Sequence, residues 1–182
     1  SPEFVNTVEA IIWLAKSLPS DWLLVVKEQP NGFQFRSKSF YERFRQIGNV
    51  VLADPDTHGW DWIRASKLVA TVTGTTGVEA VYLNRPVLSF GQHQVINELP
   101  TVFPVTNYSE VKKSVEFIID GNVNDRLLSL SRSALYNAQK KVSFELPSFK
   151  NSYKTSSLES EAAAQAYKEL QLRYPQAFID KG

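Results

Sequence analysis

Residues 67–91 read KLVATVTGTTGVEAVYLNRPVLSFG, and this stretch gives the clearest indication of the fold. Residues 68–72 form a short apolar run that is typical of a strand buried in a parallel sheet, and the turn 74–77 follows directly. We predict that the turn opens a helix and that residues 86–90 begin the next strand. Strand, turn, helix and strand in this order indicate an α/β unit.

The Gly/Thr turn supports two interpretations. Free N–H groups at a helix start and the positive end of its dipole favour an anion, and the hydroxyls of Thr75 and Thr76 add donors. The same residues also fit a purely structural turn, in which Gly74 and Gly77 let the chain reverse and a threonine caps the helix. Neither a Walker A motif nor the G-x-G-x-x-G fingerprint is present. Both interpretations stay open on the pattern alone.

The same alternation of strands and helices continues on both sides of this stretch. The predicted helices are residues 5–17, 39–47, 60–66, 108–120, 124–142 and 158–174, and the other predicted strands are 22–27, 49–53 and 101–105. We therefore predict a Rossmann-like parallel sheet with helices on both faces and a helical C-terminal extension. Residues 5–144 are predicted as the α/β domain, and residues 145–182 as a connector with a last helix.

The composition limits the classes of function. The 182 residues are 43% apolar and carry a net charge of +1, which indicates a globular core and gives no support for a nucleic-acid partner. There is no cysteine, and no run approaches the roughly 18 apolar residues that cross a membrane. The start, Ser1-Pro2-Glu3-Phe4, resembles the remnant of a cleaved tag, so we expect a piece excised from a longer protein.

The two histidines and one pair of aspartates are the remaining candidates for chemistry. His58 and His93 each follow a predicted strand, on the side where a ligand would lie, so each is a candidate contact. Asp54 and Asp56 suggest acid/base work, but their spacing is typical of a turn, with Asp56 or Thr57 capping the next helix. No cluster has the spacing of metal ligands, and we predict no metal.

Three motifs together resemble a known family. They are KEQP at residues 27–30, NVVLADPD at 49–56, and VTGTTGVEAVYLNRPVLSFG at 72–91. Their order resembles the carboxyl-terminal domain of GT-B glycosyltransferases, and is most similar to bacterial capsule and surface-polysaccharide synthesis enzymes, which include Kdo transferases. The resemblance implies one half of a GT-B fold, with a nucleotide-sugar as substrate and no cofactor.

The resemblance also implies roles for the residues of the turn. Gly74, Thr75, Thr76 and Gly77 would face the phosphate of a CMP- or UDP-linked donor. Glu79 would bind the ribose hydroxyls, since one carboxylate can accept two hydroxyl hydrogen bonds.

The KEQP motif departs from the family pattern at one position. Lys27, Gln29 and Pro30 correspond to a Lys-x-His-Pro motif near the donor, with Gln29 in place of the histidine. Glutamine still forms hydrogen bonds but carries neither a proton nor a positive charge. The change marks either altered donor recognition or weakened catalysis. Asn84-Arg85, where the family often has glycine, is a second departure.

The resemblance implies partners and a location for the whole protein. It implies a glycan acceptor, a missing amino-terminal domain that supplies the general base, and a cytoplasmic protein, with the inner face of the cytoplasmic membrane as a further site for the full-length enzyme. The chain alone is then expected to bind donor and catalyse nothing. Two alternatives stay open, a nucleotide-sugar epimerase half-domain and a non-catalytic GT-B-like module for assembly or glycan binding.

Overall fold

Strands and helices alternate through the part of the chain that the structure describes. The computed structural model describes residues 7–28 and 36–142, together with Lys168 and Leu172. The helices are α1 Thr7–Ser17, α2 Lys38–Arg45, α3 Gly59–Ala65, α4 Thr76–Tyr82, a 3-10 helix Val95–Glu98, α5 Tyr108–Ile119 and α6 Asp125–Val142. The strands are β1 Leu24–Val26, β2 Val50–Leu52, β3 Val69–Thr71, β4 Val87–Ser89 and β5 Val102–Pro104. The predicted order of elements is confirmed, with most ends within two residues.

All strand pairs among the described residues are parallel, as predicted. β1 pairs with β2, and β4 lies between β3 and β5 in a second sheet. No backbone ladder joins β1 to β3 in the described chain, so the predicted sheet is present as two hydrogen-bonded parts.

Side chains on alternate positions of β4 face different helices. Leu88 and Phe90 pack with α1 and α5, in a core that includes Val111 and Val115. Val87 points to the opposite side and packs in a second core with Ala80 of α4. Successive side chains of a strand point to opposite faces of the sheet, so helices cover both sides of β3–β5. The Rossmann-like α/β architecture that the sequence predicts is therefore present.

A third core closes one face of β1 and β2. Phe44 of α2 is fully buried there and packs with Val8 and Ile11 of α1. Full burial of a side chain of this size contributes about 1.5–3 kcal/mol. α1 thus holds the two sheets together, because Ala10 and Leu14 of the same helix pack in the core of the second sheet.

The helix that follows the Gly/Thr turn ends in a Schellman motif. Asn84 has a φ of +53°, and its N–H donates to the carbonyl of Val81. The N–H of Arg85 donates to the carbonyl of Ala80 over 2.8 Å. A left-handed residue is required at this position, and asparagine is the commonest substitute for glycine there. The Asn84-Arg85 departure from the family pattern therefore has a structural cause.

The chain divides into two compact units, Ser1–Leu135 and Tyr136–Gly182. The five strands of the described chain all lie in the first unit. Gln29, Pro30, the predicted tag remnant at residues 1–4 and the predicted connector lie outside the described residues, and of the predicted helix 158–174 only Lys168 and Leu172 are described, both helical. The domain boundary at residue 144 stays a prediction. None of the helices in the described ranges is both long and apolar enough to span a membrane.

Candidate functional site

The Gly/Thr turn leaves β3 through a bend that its own side chains stabilise. The Thr71 hydroxyl donates to the Thr73 carbonyl over 3.0 Å. Gly74 follows with a φ of +101°, a conformation that residues with a Cβ rarely adopt. Thr73, Gly74 and Thr75 are all exposed, so the turn presents its backbone to solvent. Glycine at position 74 is therefore required by the backbone conformation and not by crowding, since a Cβ there would meet no atom within 4 Å.

Thr75 occupies the N-cap position of α4 without capping it through its side chain. Its hydroxyl makes no hydrogen bond to the helix backbone, and instead donates to Oε1 of Glu79 over 3.0 Å. Glu79 is half-buried in the first turn of the helix. The structure thus brings together two of the predicted site residues through a side-chain contact that the sequence did not predict.

Gly77 has a packing role at the start of α4. It is buried, and a Cβ added there would collide with Cδ1 of Ile96 and lie 3.2 Å from Cγ2 of Thr71. Glycine here lets the helix approach β3 and the 3-10 helix closely. The 3-10 helix was not predicted from the sequence.

The loop after β4 is tied to the end of β3. Gly91 lies directly against the Val72 carbonyl, and the Gln94 side-chain amide donates to that same carbonyl. The Asn97 side chain donates to the Gly91 carbonyl over 2.8 Å. His93 is exposed within this loop. The Gly/Thr turn and the loop carrying His93 are therefore neighbours at one edge of the sheet. Gln94 and Asn97 hold this loop in place, and neither was predicted from the sequence.

Lys27 ties the end of β1 to the loop after β2. Its ammonium group donates to the carbonyls of Glu28, over 2.8 Å, and Pro55, over 2.7 Å. Two of its three N–H bonds are therefore used within the protein. Gln29 and Pro30, the other members of the predicted motif, lie outside the described residues.

An ion pair joins the described residues on either side of positions 29–35, which include the rest of this motif. Glu28 accepts from Nε of Arg36 over 2.8 Å, and the Arg36 guanidinium stacks 4.2 Å from the centre of the Phe40 ring. Glu28 directly precedes residues 29–35 and Arg36 directly follows them. This pair holds Glu28 and Arg36 close together.

His58 is the residue that caps α3. Its Nδ1 accepts the N–H of Trp60 over 3.3 Å, and its side chain is exposed. The prediction that Asp56 or Thr57 would cap this helix is wrong. The physical reason is that the helix begins at Gly59, which makes His58 the N-cap residue, and that the Thr57 hydroxyl accepts from Nε1 of Trp62 over 2.7 Å instead of from the helix backbone.

The Asp54 and Asp56 pair forms a turn, as predicted. Oδ1 of Asp54 accepts the backbone N–H of Asp56 over 2.9 Å, which is the local hydrogen bond of an Asx turn. Within residues 7–28 and 36–142 no three His, Asp or Glu side chains are grouped so that they could hold a metal ion.

The Glu110 carboxylate follows β5 at the same edge of the sheet. It accepts both the N–H of Thr106, over 2.7 Å, and the hydroxyl of that residue, over 2.9 Å. These hydrogen bonds favour the ionised form and lower the pKa of Glu110 below its ordinary value. Asn107 accepts from the Glu110 N–H in return, which completes a cap at the start of α5.

β1 and β3 both pack against the core that includes Leu88 and Phe90. The ammonium group of Lys67 lies 4.8 Å from the centre of the Trp22 ring, at the starts of these strands, and Leu24 and Leu68 pack against the same core. β1 pairs with β2, and β3 pairs with β4, in separate hydrogen-bonded sheets. Open α/β sheets bind ligands beyond the carboxyl ends of their strands. Lys27 follows β1 and the Gly/Thr turn follows β3, so each lies at such an end.

Comparison with known families matches part of the chain. Residues 8–94 match the family described as capsule polysaccharide biosynthesis protein. The match spans a little under half of the chain, from α1 to the loop after β4, and it includes the Gly/Thr turn. No curated protein and no solved structure matches the chain significantly. Over these residues the chain therefore resembles capsule synthesis proteins, which fits a role in making surface polysaccharide.

Proposed function

We propose that this chain is the donor-binding domain of a surface-polysaccharide glycosyltransferase. The observation that carries the proposal is the exposed Gly/Thr turn at the carboxyl end of β3, within the residues that match the capsule synthesis family. The substrate is a nucleotide-sugar and no cofactor is needed. The resemblance to Kdo transferases favours CMP-Kdo as the donor, and UDP-sugars are the next candidates.

In this proposal each part of the turn has a chemical task. The backbone N–H groups from Gly74 to Gly77 and the Thr76 hydroxyl bind the donor phosphate, and Glu79 binds the ribose. Hydrogen-bond donors that are already oriented toward the phosphate stabilise the negative charge that develops on it as the sugar leaves. His58 and His93 are proposed as contacts to donor or acceptor, since both are exposed beyond strand ends.

The KEQP motif is proposed to complete the donor site from the side of β1. Lys27 has one N–H bond left after its bonds to Glu28 and Pro55, and this bond is available for phosphate. Gln29 and Pro30 are proposed to follow it along the donor.

The remaining parts of the reaction are proposed to lie in a preceding domain. That domain would supply the general base and bind the glycan acceptor. The enzyme would act in the cytoplasm. The full-length protein would associate peripherally with the inner face of the cytoplasmic membrane. This chain alone would bind donor without transferring sugar.

A calorimetric titration with CMP, UDP and GDP tests the proposal. We expect one nucleotide to bind selectively, and Glu79→Ala to weaken its binding about tenfold, since a hydrogen bond to a charged group contributes about 1.5–3 kcal/mol. Glu116→Ala is the matched control, because Glu116 lies on α5 and its only ion pair in the described residues is an exposed one to Lys112. Binding that is equally weakened in both variants contradicts the proposal.

A non-catalytic module is the second candidate. The hydrogen bonds of Lys27 to two carbonyls favour it, because they give this lysine a structural role. The Asn84-Arg85 departure no longer supports it, since Asn84 fills the left-handed position after α4. Titration of the full-length protein with CMP, UDP and GDP separates the two candidates. A donor-binding domain binds one of these nucleotides, whereas a module without donor affinity binds none of them even with its other domains present.

A further inference from the structure

Thr75 and Glu79 form a side-chain pair at the proposed donor site. Thr75 is exposed and Glu79 is half-buried, and 3.0 Å separates the hydroxyl oxygen from Oε1. The two residues are four positions apart, which places them on the same side of the first helical turn. Of the hydrogen bonds in the described chain, this is the one that restrains the Glu79 carboxylate.

The chemistry of a hydroxyl group limits what Thr75 can do. A threonine hydroxyl has a single proton to donate, and here that proton is donated to Glu79. The donor phosphate offers acceptors only, so if it took the Thr75 proton it could not give the Glu79 carboxylate another hydrogen-bond donor. The neighbouring Thr76 makes no side-chain hydrogen bond within residues 7–28 and 36–142. The adjacent threonines are therefore not equivalent.

We infer that Thr75 is a positioning residue whose side chain holds the Glu79 carboxylate toward the ribose, and that its hydroxyl does not bind the donor phosphate. This inference rests on the proposed function. A carboxylate held in one rotamer loses less conformational entropy when it accepts the ribose hydroxyls. The selection of a ribonucleotide over its 2′-deoxy form is then set by Thr75 and Glu79 together, whereas Thr76 is left for the phosphate.

Isosteric variants of the two threonines test the inference. Thr75→Val removes the hydroxyl at the positioning residue, Thr76→Val removes the one beside it, and Thr75→Ser restores the first. Each variant is titrated with CMP, 2′-deoxy-CMP and cytidine, and its melting temperature is measured. If the wild type selects UDP or GDP, the corresponding ribose, deoxyribose and nucleoside forms are used.

The expected results separate the two residues. We expect the wild type to prefer CMP over 2′-deoxy-CMP about tenfold, and Thr75→Val to reduce this preference to about threefold or less. Thr75→Ser should keep the preference. Thr76→Val should weaken CMP relative to cytidine and leave the ribose preference unchanged.

Three outcomes overturn the inference. If Thr75→Val lowers the affinity for CMP and 2′-deoxy-CMP by the same factor, Thr75 has only a structural role. If it weakens CMP relative to cytidine, Thr75 binds the phosphate. If the wild type binds none of the nucleotides in the full-length protein, the proposed function fails as well, which distinguishes that failure from the other two.

Discussion

Gly77 lies so close to Ile96 that a Cβ on residue 77 would overlap Cδ1 of Ile96. This contact joins the start of α4 to the 3-10 helix after β4, and Ile96 is 1% exposed. The glycine that the sequence suggests as a phosphate contact therefore also determines how the helix packs. Because the turn before α4 is the proposed donor site, its geometry depends on this apolar contact.

Gly77→Ala should destabilise the protein. An added Cβ would overlap Ile96 and press on Thr71, and overpacking of this kind costs about 1–3 kcal/mol. Thermal or urea denaturation measures the effect. Gly48→Ala is the control, since a Cβ there meets no atom within 4 Å, and its effect should stay within about 0.5 kcal/mol. Equal stability of the two variants would contradict the packing role.

Gly74→Ala should destabilise the protein through the backbone. A residue with a Cβ at a φ of +101° is strained by about 1–2 kcal/mol, although the space around it is open. Gly59→Ala is the comparison, because Gly59 begins α3 without a positive φ or a close neighbour, and alanine is expected to be neutral or slightly stabilising there. A Gly74→Ala variant as stable as wild type in urea would argue against the strained turn.

Ser131 and Thr101 should be energetically coupled. Both are fully buried, and the Ser131 oxygen accepts from the N–H of Thr101, over 3.2 Å, and from its hydroxyl, over 2.9 Å. Ser131→Ala leaves both donors without this partner and should cost about 1–3 kcal/mol. In a double-mutant cycle with Thr101→Val, the combined cost should be about 0.5–1.5 kcal/mol below the sum of the single costs. Additive costs would mean that the two hydroxyls act independently.

Glu110 should contribute to stability in a pH-dependent way. Its pKa is lowered in the folded protein by the hydrogen bonds from Thr106, so the folded state favours the ionised carboxylate. The contribution is therefore fully present above the unfolded pKa of about 4.3 and is lost as the pH falls through the lower folded value. We expect the difference in unfolding free energy between wild type and Glu110→Gln to shrink between pH 5 and pH 3, as followed by urea denaturation. A constant difference over that range would exclude this cause.

The helices and strands were predictable because their apolar periodicity is strong. α5 and α6 begin and end within one residue of their predicted ends, since each has an apolar face that packs against the sheet. The 3-10 helix at residues 95–98 was missed because one buried side chain, Ile96, carries no periodicity. The cap of α3 was assigned to Asp56 or Thr57 instead of His58. The sequence does not show that the Thr57 hydroxyl bonds to the Asp54 carbonyl, because that bond depends on how the chain folds here.

The candidate site was predictable only in part. The Gly/Thr turn was found because glycine and threonine directly after an apolar strand are typical of a turn that begins a helix. The bond between Thr75 and Glu79 and the contact of Gln94 with Val72 depend on side-chain rotamers, which a sequence does not specify. The structural role of Lys27 depends on the distant Pro55 carbonyl, and sequence spacing gives no sign of that contact.

Chemical-shift mapping of the nitrogen-15-labelled protein with the nucleotide that binds, CMP first, tests the donor-site claim most directly. We predict that the largest amide shifts fall on residues 73–79, with smaller ones on residues 91–94. The loop 91–94 should respond because Gln94 is bonded to the end of β3. Largest shifts on the outer faces of α5 or α2, or no shifts at millimolar nucleotide in the full-length protein, would contradict a donor site at the Gly/Thr turn.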